Sequence, residues 1–280
     1  LDSFVFSAVL LAAFLHAAWN VQVRMHADQL VSLSTLTCAM AVMGIIMLLV
    51  FGLPRQESWI YALASGLLHT GYNLFLVRAY RAADLSLVYP IARGGAPLLT
   101  MLASLVFLQD GVHSGLVIAI LLLVAGLVLA GWPAGSRPNP DPQALFYAMG
   151  TAGFIAIYSL TDGLGARASG EAFAYAGLLF VLDGVFLLVA ASVMRGVAFT
   201  RSLLPHWRQG VLGGGASGAA YAIVMWAMTK APIASIAALR ETSIIFVLLM
   251  SSQLLRERLT IWRVGGALLI VLGAILLRIG

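Results

Sequence analysis

Charge is the scarcest thing in this chain. Only 10% of its 280 residues are Asp, Glu, Lys or Arg, where soluble domains carry about 25%. With 61% apolar residues, the chain cannot wrap one core and present a polar surface to water, so lipid is its expected solvent. Cysteine is almost missing as well. Cys38 stands alone, which excludes an intramolecular disulfide and a multi-cysteine zinc site. No Walker loop, HExxH helix or GxSxG nucleophile elbow is present, so nucleotide hydrolysis and the common hydrolytic chemistries have no carrier. The N-terminal apolar stretch is not expected to be a cleaved signal peptide. Asp2 stands where a signal peptide carries positive charge, and His16, Trp19 and Asn20 interrupt the apolar run, so residues 3–23 are read as a first membrane span.

A span needs roughly 20 apolar residues, and charges, prolines and glycines punctuate the chain at about that interval. Ten spans are expected, at 3–23, 31–53, 58–79, 84–108, 113–132, 142–165, 171–194, 206–229, 233–255 and 260–278. The fold class is therefore all-α, in the membrane. Short loops make successive helices antiparallel neighbours. One linker interrupts the series near its midpoint: "WPAGSRPNPDP", with four prolines. It divides a first half, 1–132, from a second, 142–280, with 133–141 between them.

The halves resemble each other. "YPIARGGAPLLTMLASLVFLQDG" from Tyr89 aligns with "IAALRETSIIFVLLMSSQLLRER" from Ile236. Arg93 then falls on Arg240, Asp110 on Glu257 and Gly126 on Gly273. "HAAWN" (His16–Asn20) lies against "YSLTD" (Tyr158–Asp162), each with two polar or aromatic residues at i and i+4 on one helix face. Five spans per half is odd, so the second half enters from the opposite side, the inverted repeat of secondary transporters. Counting Lys and Arg over the loops places both termini outside. The net charge of +5 reflects basic loops rather than a nucleic-acid partner.

These features resemble the drug/metabolite transporter superfamily, in its ten-helix branch of two EamA-type repeats. The doubled five-helix pattern and "LRERLTIWRVGGALLIVLGAILL" (Leu255–Leu277), similar to the usual end of such a repeat, carry the resemblance over the whole chain. The first copy departs from it, with Asp110 where glutamate is common. The resemblance implies a secondary carrier, not an enzyme, without cofactor or metal. It also implies a bacterial inner membrane, efflux, and a cargo among amino acids, nucleotide sugars, amines and other small metabolites. A monomer is the expected state, since two halves make a complete carrier.

Charges inside spans cost roughly 2.5–3.5 kcal/mol each at the helix centre, so each needs a reason. Arg93 lies about 13 Å into its span at 1.5 Å per residue. Pro97 removes the N–H partner of the Arg93 carbonyl, Pro90 does the same for Ser86, and Gly94 and Gly95 allow close approach. The expectation is a broken-helix substrate site with Arg93 as its fixed charge. The structural alternative is an arginine paired with a buried carboxylate. Arg240 and Glu241 carry the same two readings, an anion fork and an ammonium or proton carrier against an ion pair between the halves. Adjacent helix positions point about 100° apart, so these two need not pair with each other.

Asn20, Asn73, Tyr72, Tyr89 and Trp19 complete the expected substrate site, with Tyr221 and Trp226 as aromatics able to cage an amine. His16, Asp162 and Glu241 are the proton-coupling candidates, with His69 a softer case. Asp183 is read as structural. "GGGASG" (Gly213–Gly218) matches a dinucleotide fingerprint in spacing but sits in an apolar helix with no preceding strand. Gly210, Gly214 and Gly218 form GxxxG steps for helix packing. The leading reading is a secondary transporter of an amino acid or similar zwitterion, driven by a proton or an exchanged solute. The other is an exporter of organic cations held by Asp162 and Glu241. A lipid flippase is a third possibility.

Overall fold

The computed structural model describes residues 1–24, 28–82, 85–107, 114–131, 142–254 and 260–279. Side chains are described over the same residues except 24, 80–82, 85–91, 251 and 254. The linker 133–141, Asp110, Glu257 and the side chain of Tyr89 therefore lie outside the described residues.

The described chain is helical and contains no strand. Its long helices are α1 (Ser3–Arg24), α2 (Gln29–Phe51), α3 (Trp59–Ala82), α4 (Leu85–Phe107), α5 (Ser114–Ala130), α6 (Pro142–Ala168) and α7 (Ala172–Arg195). A short α8 (Phe199–Leu203) precedes α9 (Trp207–Met228), followed by α10 (Ile233–Arg240), α11 (Ser243–Leu254) and α12 (Ile261–Ile279). Eight helical stretches are long and apolar enough to cross a membrane, α10 and α11 counting together as one. Two shorter apolar stretches, Ala92–Phe107 and Ser114–Ala130, fall where the fourth and fifth spans are expected.

Local chemistry sets the ends. Asp2 accepts the N–H groups of Phe4 and Val5 at 2.9 and 3.2 Å. Asp28 accepts those of Leu30 and Val31 at 3.1 and 3.2 Å, and Glu171 accepts that of Phe173 at 3.1 Å. Each satisfies donors that the first helical turn leaves open. Pro142 opens α6 at a position where its missing N–H costs nothing. Gly52 and Gly196 end α2 and α7 with φ of 79° and 84°, a conformation that glycine adopts without strain.

Packing is organised around two wings. One core cluster gathers residues of α1, α4, α5, α9, α10, α11 and α12, and the other those of α1, α2, α3, α6, α7, α8 and α9. The helix contacts map onto themselves when the halves are exchanged: α3 against α6 becomes α9 against α1, and α3 against α7 becomes α9 against α2. Two pairs, α2 with α7 and α5 with α12, map onto themselves. Both run antiparallel. Gly44 sits on Gly177 while Gly184 sits on Thr37, and Gly126 sits on Gly266 while Gly273 sits on Ala119.

Glycine makes these approaches possible. A Cβ on Gly126 would stand 2.6 Å from the Gly266 carbonyl oxygen, and one on Gly214 would stand 2.6 Å from that of Leu36. Gly210 and Gly214 thus seat α9 on the backbone of α2, in the small-residue packing that membranes favour.

Candidate functional site

The expected ninth span, 233–255, is two helices. Between Arg240 and Ser243 the backbone tightens to i→i−3 bonding. Glu241 N–H donates to Ala238 O at 3.0 Å, Thr242 N–H to Leu239 O at 3.1 Å, and Ile244 N–H to Glu241 O at 3.1 Å. The Thr242 hydroxyl also donates to Leu239 O at 2.8 Å. Neither proline nor glycine lies in this break. By contrast α4 is helical from Leu85 to Phe107, through Pro90 and Pro97. The expected broken helix therefore sits in the second half, at the counterpart of Arg93, and not around Arg93 itself. Nor is the space beside the α4 glycines open: a Cβ on Gly95 would lie 3.1 Å from that of Ala152 in α6.

Arg93 and Glu241 meet across the two halves. Arg93 Nε lies 2.9 Å from Glu241 Oε2, and Arg93 Nη2 donates to Ser243 Oγ at 3.1 Å. The Nε contact is ionic rather than a directed hydrogen bond, because the Nε–H does not point at the oxygen. Both residues are buried. Arg240 is more loosely held. Its Nε stands 3.9 Å from Glu241 Oε1, and its guanidinium lies 6.0 Å from the Tyr158 ring centroid. Two guanidinium groups thus share one carboxylate, which leaves one positive charge at Arg240. A cation this deeply buried needs a counter-charge.

Arg240 lines a cavity in which about 70 Å³ is open to the centres of water molecules. Since a single water needs about 10–15 Å³ by that measure, the space holds several waters or a small solute. Six more helices supply its walls: His16 and Trp19 from α1, Thr37 and Met40 from α2, His69, Tyr72 and Asn73 from α3. Tyr158 comes from α6, Leu179, Phe180 and Asp183 from α7, and Ser217 and Tyr221 from α9. His69 stacks on Tyr158 with ring centroids 4.1 Å apart, and His16 meets Trp19 edge-on at 5.0 Å. The indole N–H of Trp19 is buried without an acceptor among the described residues. A second, smaller cavity is lined by Asn20, Tyr72, Leu76, Arg93 and Thr151. Asn20 itself donates to the His16 carbonyl at 2.8 Å.

Asp162 is fully buried and is not on the larger cavity's wall. Tyr175 donates to its Oδ1 at 3.1 Å and Tyr221 to its Oδ2. Its partners are thus phenols of α7 and α9. Asp183, read from the sequence as structural, lies on the cavity wall instead. It is buried, and its Oδ1 has no hydrogen-bond partner among the described residues. Sequence spacing had separated His16, Tyr72, Asn73 and Arg240 onto distant helices; the fold brings them to one cavity. Tyr158 appeared only as the repeat counterpart of His16, and Ser217 not at all.

The EamA-like transporter family matches residues 3–132 and again 142–279. The chain belongs to that family. This EamA protein thus contains the family's unit twice, each copy covering one half of the pseudosymmetric contact map. No curated protein matches its sequence. One solved structure, titled "Crystal structure of protein", superposes with a TM-score of 0.75 over 97% of this chain and 94% of its own. At 20% identity, that likeness speaks for the fold alone. An EamA-like transporter with apolar helices this numerous is an integral, multi-pass membrane protein.

Proposed function

We propose that the protein is a secondary active transporter of a small polar metabolite that bears an anionic group, an amino acid or related zwitterion. It works by alternating access as an exporter of the inner membrane. Its two repeats are inverted, with ten membrane-crossing segments, and the substrate site lies between them. The observation that carries this reading is the guanidinium of Arg240, which shares the Glu241 carboxylate with Arg93 and is buried in the wall of a cavity that both halves build. Arginine's fork suits a carboxylate or a phosphonate. Support for the inverted arrangement comes from the antiparallel packing of α2 with α7 and of α5 with α12. Broken helices at a midplane site are typical of such carriers, and the break beside Arg240 supplies one. Arg93 then serves through Glu241, as the ion pair that ties α4 of one repeat to the α10–α11 break of the other. Of His16, Asp162 and Glu241, the proton-coupling groups expected from the sequence, His16 is the one that lines this cavity.

A second reading, export of organic cations, draws on the aromatic wall of Trp19, Tyr72, Tyr158 and Tyr221 and on the carboxylate of Asp183. Thermal unfolding of the purified protein in detergent separates the two. The solutes are amino acids, aminophosphonates, sugar phosphates and quaternary amines, each tested on wild type and on Arg240→Gln. Acid-bearing solutes are expected to raise the melting temperature of wild type alone. Stabilisation of both proteins by amines only would replace the first reading with the second.

A further inference from the structure

We infer that Asp183 is the cation subsite of this cavity, holding the ammonium end of a solute whose acid end lies at Arg240. The inference rests on the reading of the cavity as a substrate site and names the chemistry of a second group in its lining. Three buried carboxylates lie in the described membrane segments: Asp162 in α6, Asp183 in α7 and Glu241 in the break between α10 and α11. Asp162 is held by Tyr175 and Tyr221, and Glu241 by Arg93. Asp183 is the one that lines the cavity, and its Oδ1 is buried without a partner. A carboxylate in that setting takes up a cation or a proton.

Among the described residues, the ionisable groups that act most directly on it include no arginine or lysine. Facing it are Cys38 of α2, His69 of α3 and Asp162 of α6, and Tyr221 of α9 stands on the same wall. None of these is an arginine or lysine. Aromatic faces at Tyr72, Tyr158 and Tyr221 add the quadrupoles that favour an ammonium group. The cavity lining thus carries two chemically opposite groups, a guanidinium on α10 and a carboxylate on α7 with one buried, unpartnered oxygen. A dipolar solute satisfies both, whereas a simple acid or a simple amine satisfies one.

The test is direct binding to the full-length protein in lipid nanodiscs. The twenty amino acids are tried singly, and those that bind are repeated as their N-acetyl acids and their decarboxylated amines. Wild type is expected to bind the parent about tenfold or more tightly than the N-acetyl acid, a difference of about 1.4 kcal/mol. Asp183→Asn is expected to lose that preference, and Asp183→Glu to keep part of it. Equal binding of parent and N-acetyl acid by wild type overturns the assignment without any variant. So does an Asp183→Asn protein that folds and still prefers the parent. If no amino acid, N-acetyl acid or amine binds wild type, the transporter reading of the cavity falls, and the subsite with it.

Discussion

Arg93 and Arg240 occupy equivalent places in the two repeats, yet their helices differ in a way opposite to their sequences. Around Arg93 stand two prolines and two glycines, and the helix runs on. After Arg240 stand glutamate, threonine and serine, and the helix breaks. Proline removes one N–H and one bond, which neighbouring turns and packed helices absorb inside a membrane protein. The break in the second repeat has another source. Its i→i−3 turn puts Glu241 against Arg93 while Arg240 faces the cavity, and the Thr242 hydroxyl takes up the Leu239 carbonyl. Short stretches of tightened helix often mark a functional hinge. The comparison teaches that charge partners, rather than helix breakers, choose where this fold opens its backbone.

The comparison breaks most severely at its shared carboxylate. Glu241→Gln removes the carboxylate that two buried guanidinium groups share, and removing one partner of a buried pair costs about 3–5 kcal/mol. A large drop in melting temperature in detergent is expected. The double variant Arg93→Gln with Glu241→Gln removes both charges and should recover most of that loss. A double variant no more stable than the single one would show that the pair does not bind the repeats together.

Packing around Arg93 ranks next. Gly95→Leu drives a side chain into Ala152 of α6 and should cost about 1–3 kcal/mol. Gly153→Leu is the control, because nothing lies within 4 Å of a Cβ there. Equal losses would place α4 and α6 further apart than described. Thr242→Val comes third. It deletes the hydroxyl bond to Leu239 O at 2.8 Å and should cost about 0.5–1.5 kcal/mol, whereas Pro97→Ala should change melting less. The reverse order would return the structural weight to the proline-bearing helix.

The smallest effect lies outside the membrane-spanning segments, where Asp28 pairs with Arg195 between α2 and α7. Partial burial pushes the Asp28 carboxyl up. The Arg195 hydrogen bond and charge, with the N–H groups of Val31 and Leu30, outweigh this and hold it below its ordinary value. A group depressed on folding adds stability above its unfolded value, about 3.9, and loses it as pH falls through the folded one. Arg195→Gln should therefore lower neutral stability slightly and flatten the acid limb of the melting curve below about pH 4. An unchanged acid limb would assign that limb to other groups.

Much of the architecture was legible in the sequence because each signal was local. Apolar runs of span length, the GxxxG steps of Gly210, Gly214 and Gly218, and the alignment of Arg93 with Arg240 need no knowledge of distant contacts. The break at Glu241 was not legible. No proline or glycine announces it, and its cause lies on another helix far along the chain. The pairing of Arg93 with Glu241 was anticipated only as an alternative, because sequence distance says nothing of which carboxylate a buried arginine meets. Asp183 was discounted for the same reason. A lone acid on an apolar helix looks structural until the rotation of α7 against α2, α3 and α9 shows that it borders a cavity. Asp162, promising by its repeat position, proved to be occupied by two phenols.

The central claim is that the charge available to a solute is at Arg240, while that of Arg93 is spent on Glu241. Affinity for the acid-bearing solute that most stabilises wild type tests it on two variants. Arg240→Gln removes the available charge, and Arg93→Gln with Glu241→Gln removes the paired one and leaves the net charge of the cluster unchanged. The account predicts a loss of about tenfold or more in the first and near wild-type affinity in the folded second. Lost affinity in the double variant, with affinity retained in Arg240→Gln, would contradict it and return the substrate to Arg93.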